Sequence, residues 1–148
     1  MKGSRIVFNK SEKLEDSFFI KLPSNLKWYI YIDGYKAEMN YLYALIVDYY
    51  NADEGCAYPS MLRLSREYGK TEPTTRAHLQ TLKDVGLIDF TDIRGKKYYV
   101  PFIPLDQEEL FRQFPEAEEK YKIALQKEEQ ERKRSLRNWV SKFHTVNN

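Results

Sequence analysis

Glu72, Arg76, Gln80 and Lys83 recur at intervals of four, four and three residues, a spacing that puts all four side chains on one face of a helix. An arginine can donate two hydrogen bonds to the O6 and N7 edge of guanine. A glutamine can engage the N6 and N7 edge of adenine, and a carboxylate can accept from the amino group of cytosine. Each well-formed contact of this kind discriminates between bases by about 1–3 kcal/mol. Glu72, at the start of the run, would equally suit the helix dipole. Further along, Arg94, Lys96 and Lys97 cluster around Gly95, a basic tip suited to flanking phosphates or the minor groove. These are groups for recognising nucleic acid, with a basic turn and a solvated polar face as the plainer alternatives.

A helix that carries this face needs a start, a stop and a buried stripe. Thr71 is the expected N-cap, and Pro73 falls in the first turn, where a missing amide hydrogen costs little. Thr75, Leu79 and Leu82, with Val85 or Gly86, form the opposite, apolar stripe. His78 sits beside that stripe and reads as a packed, neutral histidine. Thr71 and Thr74 are placed for phosphate contact. A shorter helix precedes it: Pro59 fixes the approach, Ser60 is the cap, and Met61, Leu64 and Tyr68 recur at helical spacing before Gly69-Lys70 breaks the run. Ser60 and the free amides at that helix start are phosphate candidates, and Arg63, Arg66 and Lys70 add positive charge nearby. Two short helices joined by a tight glycine-containing turn are the sequence form of a helix-turn-helix. Gly86-Leu87-Ile88 then leads into a hairpin in which Ile88 and Phe90 alternate with Asp89, Arg94-Gly95 forms the tip, and residues 97–102 return. Helix, turn, helix and hairpin in that order make a winged helix.

The flanking segments must support this unit. Residues 37–51, AEMNYLYALIVDYYN, place Met39, Leu42, Tyr43, Ile46 and Tyr49 or Tyr50 on one stripe, widened by Ala44 and Leu45, as a well-buried helix. Its tyrosines could stack on bases but fit the core better. Residues 5–36 contain β-branched and aromatic runs (Ile6 and Phe8, Phe18 to Leu22, Tyr29 to Ile32) broken by Pro23-Ser24-Asn25 and Asp33-Gly34, and read as a strand-rich arm packed on the core. After Pro101 and Pro104 comes a short amphipathic helix with Leu110, Phe111 and Phe114, and Pro115 opens a longer one. Acid-first pairs Glu116–Lys120, Glu118–Lys122, Glu128–Arg132 and Glu129–Lys133 support an exposed helix. Its apolar residues fall in two patches, Tyr121, Ala124 and Leu125, then Leu136, Trp139, Val140 and Phe143. The polar QKEEQERKRS stretch between them lacks the seam of a continuous coiled coil. Leu136, Trp139, Val140 and Phe143 are therefore expected to contact a second protomer or another partner. The expected fold is α+β: a winged helix-turn-helix with an N-terminal β segment and a long C-terminal helix. The expected division is 1–36 arm, 37–104 winged helix-turn-helix, and 105–148 helical extension.

Composition narrows the function classes. With 42% hydrophobic and 15% aromatic residues in 148, the chain can bury a core, and it is not of disordered composition. No apolar run approaches the roughly 18 residues of a membrane span, the N-terminus lacks the apolar stretch of a secretory signal, and Cys56 is a lone cysteine. A cytoplasmic protein is expected. The net charge of +2 is small but segregated. Residues 37–59 contain Glu38, Asp48, Asp53 and Glu54 and no base, whereas residues 60–83 carry five bases against two acids. A positive face opposite a negative one orients a protein on a phosphate backbone. No phosphate-binding glycine loop, dinucleotide fingerprint or zinc-deaminase signature is present. Two isolated histidines and one cysteine without a placed base offer no catalytic constellation. No enzyme, cofactor or metal site is expected.

FIKLP, LYALIVDYYN, YPS, TTRAHLQTLKDVGLI and GKKYYV, in that order, resemble the N-terminal winged-helix domain of RepA-type plasmid replication initiators. The run is similar also to winged-helix domains of phage replisome organisers of Gram-positive hosts. The resemblance covers about residues 18–103 and is most specific at 42–48 and 58–88. It implies sequence-specific binding to double-stranded DNA, often as a dimer on repeated sites. Thr71, Glu72, Arg76 and Gln80 would be the DNA-facing helix positions, with Arg94 to Lys97 as the wing. Such initiators carry a further C-terminal domain where this chain has an acid–base helix, so control of transcription or copy number is as plausible as initiation. Asn138-Trp139 resembles, in two residues, the C-terminal motif of DnaD-like primosomal proteins. Expected partners are double-stranded DNA, a second copy of the chain and a replication or transcription protein. The alternative is an interaction adaptor that recruits such machinery through a winged-helix scaffold.

Overall fold

The four-residue turn α1, Leu26–Tyr29, begins where Pro23, Ser24 and Asn25 carbonyls accept hydrogen bonds from the amides of Leu26, Lys27 and Trp28. It is the first regular element in the computed structural model, which describes residues 5–12 and 19–147. There follow α2, Met39–Tyr49; α3, Met61–Tyr68; α4, Glu72–Asp84; β1, Ile88–Ile93; β2, Lys96–Pro101; α5, Gln107–Gln113; and α6, Pro115–Asn147.

The centre is a winged helix. Met39, Leu42, Tyr43, Ala44, Leu45 and Ile46 are all buried, so α2 is covered over most of its circumference and forms the post on which α3 and α4 lean. Ser60 caps α3, its hydroxyl accepting from the Arg63 amide at 3.1 Å. The helix stops at Gly69, whose φ of +75° is left-handed and whose amide returns to the Ser65 carbonyl, a conformation glycine adopts without penalty. Thr71 caps α4 in the same way through the Thr74 amide at 3.4 Å. Thr75, Leu79 and Leu82 are fully buried, and the Thr75 hydroxyl is satisfied by the Thr71 carbonyl at 2.8 Å. β1 and β2 pair antiparallel, with Phe90 opposite Tyr99 and Ile93 opposite Lys96. Arg94 and Gly95 at the tip both have positive φ, 55° and 80°, as a two-residue hairpin turn of matching twist requires. Ala57 bonds Tyr99 in both directions at 2.8 Å, a one-residue third strand that ties the start of α3 to the wing.

The N-terminal β segment is not found among the described residues. Among the described residues of 5–36 none lies in a strand, and the only regular element is α1; Phe18 falls outside the described residues. The aromatic and β-branched run suggests a period of two, but Leu26, Tyr29, Ile32 and Tyr35 are the buried positions, a period near three that belongs to a helical turn. The sheet it would have joined is completed on β2's free edge by Ala57. Ile6, Val7 and Phe8 are exposed, as is Leu22, so among the described residues of the arm only the later ones pack on the core.

That part joins the C-terminal helices. One hydrophobic cluster runs from Leu26 to Ala117, so segments on both sides of the winged helix share its core. Trp28 meets the rings of Tyr121 at 5.4 Å and Phe111 at 6.4 Å, edge-on, and Tyr31 meets Tyr121 at 5.3 Å. The Tyr29 hydroxyl accepts from the Leu105 amide at 2.8 Å, and the Tyr43 hydroxyl donates to the Phe102 carbonyl at 2.6 Å. Tyr29 and Tyr43 are thus core residues with satisfied hydroxyls, and burial raises the pKa values of both. Lys120 reaches across to Asp33 of the arm instead of pairing with Glu116. After Leu125 the helix leaves the body: every residue from Gln126 to Phe143 is exposed.

Candidate nucleic-acid interface

α4 separates its residues by environment. Thr75, His78, Leu79 and Leu82 face inward, whereas Pro73, Arg76, Ala77, Gln80, Lys83 and Asp84 are exposed on the opposite side. The inward histidine is held by a 2.8 Å hydrogen bond between its Nδ1 and the Tyr68 hydroxyl. Burial lowers the His78 pKa and raises that of Tyr68. A neutral imidazole and a protonated tyrosine share this hydrogen bond, which locks α4 to α3. His78 is structural, as its place beside the apolar stripe predicts.

The outward side chains are held in weak pairs. Arg76 lies 3.6 Å from Glu72, Gln80 donates to Asp84 at 2.9 Å, and Lys83 lies 3.5 Å from Asp89. Lys83 also stands 4.6 Å over the Phe90 ring. Exposed pairs of this type contribute about 0–1 kcal/mol, so a base edge or phosphate can displace the carboxylate. Thr74 is half-buried beside the Thr71 cap, and the two hydroxyls bond one another at 3.0 Å.

The wing closes the other wall. A recess of about 400 Å³ lies between the hairpin, the start of α3 and α4, and its lining includes Tyr58, Ser60, Arg76, Lys96 and Lys97. The Lys96 ammonium stands 4.8 Å over the Tyr58 ring and 5.7 Å over that of Tyr98. Lys97 pairs with Asp92 at 3.2 Å. Tyr99 forms part of the wall, and burial pushes its hydroxyl up to about 12, so it remains a neutral donor.

Ser60, Arg76, Lys96 and Lys97 thus line one concave surface; Glu72 pairs with Arg76, Thr71 caps the same helix, Gln80 and Lys83 lie further along α4, and Arg94 is at the hairpin tip. Two others are turned elsewhere. Lys70 pairs with Glu38 on the N-terminal side of α2 at 3.0 Å, and that hydrogen bond lowers the Glu38 pKa. Arg63 lines a separate recess with Tyr49, Asn51, Tyr58 and Pro59, near the hydrogen bond from Tyr49 to Glu67. Within residues 60–97 eight Lys or Arg side chains stand against five Asp or Glu. Most of those carboxylates hold a cation in place while tempering non-specific attraction.

Three residues of this surface are not evident from the spacing of charges. Ala77 is exposed between Arg76 and Gln80, where a small apolar group fits a thymine methyl. Tyr98 could have been found, because Lys96 and Tyr98 share a strand face at i and i+2. Tyr58 could not, since the Ala57–Tyr99 pairing that brings it to the wing leaves no local pattern.

Leu136, Trp139, Val140 and Phe143 lie far along α6 and are exposed, Trp139 at 62%, with Trp139 and Phe143 stacked at 5.5 Å. Among the described residues, no group of three or more His, Cys, Asp or Glu side chains could hold a metal ion. No helix there is long and apolar enough to cross a membrane. Comparison with curated proteins and with solved structures returns no match. Residues 41–88, from α2 to the start of the wing, match a family model described as a helix-turn-helix domain.

Proposed function

We propose that this protein binds double-stranded DNA sequence-specifically, with α4 in the major groove and the wing on the adjacent backbone, as a homodimer. The observation that carries the reading is the outward face of α4. Arg76, Ala77, Gln80 and Lys83 are exposed together on a helix whose other face is fully buried, beside a recess lined by Ser60, Lys96 and Lys97. Arg76 and Gln80 would read bases; Ser60, Thr71, Thr74, Lys96 and Lys97 would hold phosphates. The role is one of binding and not of catalysis. From the resemblance to RepA-type initiators and phage replisome organisers, the process served is control of replication or transcription in a plasmid- or phage-type system. Selecting bound duplexes from a random pool tests this reading. A defined motif whose enrichment collapses in the R76A/Q80A variant is expected, and binding with no sequence preference would refute it.

A second reading, an adaptor that recruits replication or transcription machinery, is favoured by the exposed apolar end of α6. An adaptor alone would leave the α4 face without effect on DNA binding, which the same selection measures.

A further inference from the structure

The face of α6 that packs on the body continues past it. Tyr121 and Ala124 are half-buried, Leu125 is 43% exposed and Leu136 is 61% exposed. Leu125 and Leu136 are eleven residues apart, close to three turns at about 3.6 residues each, so the two apolar patches lie on the same side of the helix. Beside the proximal patch, between α5 and α6, runs a groove of about 530 Å³ with Phe111, Tyr121 and Leu125 in its lining and Glu108 and Glu118 among its polar residues. The helix is also divided by charge. Residues 116–131 hold six glutamates against three lysines, and residues 132–142 hold five Lys or Arg and no acid.

We propose that α6 pairs with α6 of a second copy, antiparallel, about a two-fold axis at Gln130–Glu131, so that the distal patch of each copy covers the α5/α6 groove of the other. In this register Leu136 lies opposite Leu125 of the second copy, Val140 opposite its Tyr121, and Trp139 opposite its Lys122, at the groove. The polar middle becomes the complementary part of the interface. Arg132 meets Glu129, Lys133 meets Glu128, and Lys142 meets Glu119 of the second copy. The pairs now made within one helix, Arg132 with Glu129 at 3.5 Å and with Glu128 at 4.0 Å, are exposed and exchangeable. A parallel pair would set acid on acid and base on base. The isologous arrangement closes, since each copy donates one patch and accepts another. The proposal takes the dimer from the functional reading above and gives it a surface, a direction and a register; it does not require DNA.

The test uses the full chain without DNA. Sedimentation over a concentration series should give a two-copy particle, and Trp139→Glu should weaken association on the order of 30-fold or more, as removal of an aromatic anchor does. In a Cys56→Ser background, oxidising a mixture of L125C and L136C chains should cross-link the two variants to each other, while L136C alone stays uncross-linked. A particle of one copy at all concentrations overturns the proposal, as does a W139E chain that dimerises like the parent. Cross-linking of L136C alone overturns the antiparallel register. Circular dichroism of W139E, expected to match the parent, shows that the variant is folded. A chain that dimerises as described but selects no DNA motif would sink the functional reading and leave this one standing.

Discussion

Helices α4 and α6 are both amphipathic, both opened by clear signals, and both carry an apolar stripe at helical spacing. In α4 the stripe is sealed: Thr75, Leu79 and Leu82 are essentially inaccessible between α2, α3 and β1. In α6 the stripe is covered only as far as Tyr121 and Ala124, and its distal half meets solvent. The difference lies in what stands opposite. α2 is apolar around most of its circumference and seals α4 from within the chain, whereas no other described element reaches the far end of α6. A stripe specifies that a helix will bury a face; it does not specify which molecule supplies the cover.

That contrast can be broken by matched truncations. Leu82→Ala opens a cavity in a sealed site and should cost about 2–5 kcal/mol. Leu136→Ala, at a concentration where the protein is a monomer, should stay within about 0.5 kcal/mol. Chemical denaturation of the two variants checks this, and equal losses would mean that α6 packs on its own body. On the outward side of α4, Arg76→Ala and Gln80→Ala should each remove about 1–3 kcal/mol of discrimination at one base position. Titration against the selected duplex and a scrambled one separates that loss from general weakening; equal loss on both removes the direct-readout assignment.

His78 sharpens the comparison by pH. Its folded pKa lies below the ordinary 6.5, chiefly through burial, with Glu38 opposing and Lys36 and Lys70 assisting. Above pH 6.5 folded and unfolded chains are both neutral at this site and its contribution is intact. As the pH falls below 6.5 the unfolded chain takes up the proton first, so stability declines down through the folded pKa. Thermal unfolding between about pH 5 and pH 7.5 should show a slope that His78→Gln flattens, while Trp139→Glu leaves it in place. On the wing, K96A/K97A should lower the salt dependence of DNA affinity by about one unit of slope for each phosphate no longer held, with the preferred motif unchanged. The smallest effect is expected from Lys120→Ala. It breaks an exposed pair with Asp33 and should cost no more than about 1 kcal/mol in the same denaturation assay.

Much of the winged helix was legible because its signals are local. Ser60 and Thr71 cap the helices they are expected to cap, Gly69 takes the left-handed turn between them, and Arg94-Gly95 forms the tip. The arm misleads because Trp28 to Ile32 are residues that strands favour, and β-propensity reflects packing on a sheet more than any backbone preference. Here the available partners were the aromatic rings of α5 and α6, and burying Leu26, Tyr29 and Ile32 in the core they share required a helical turn.

The residue pattern alone therefore determined the helix-turn-helix, its two-faced α4, the hairpin and the polar break in α6, since caps, glycines and periodicity act over a few neighbours. Only the tertiary structure decided that the arm and the first turns of α6 share the core, that Tyr58 stands beside Lys96, and that Lys70 turns to Glu38. Each of those depends on which distant surfaces exclude water together, and no short stretch of sequence records that.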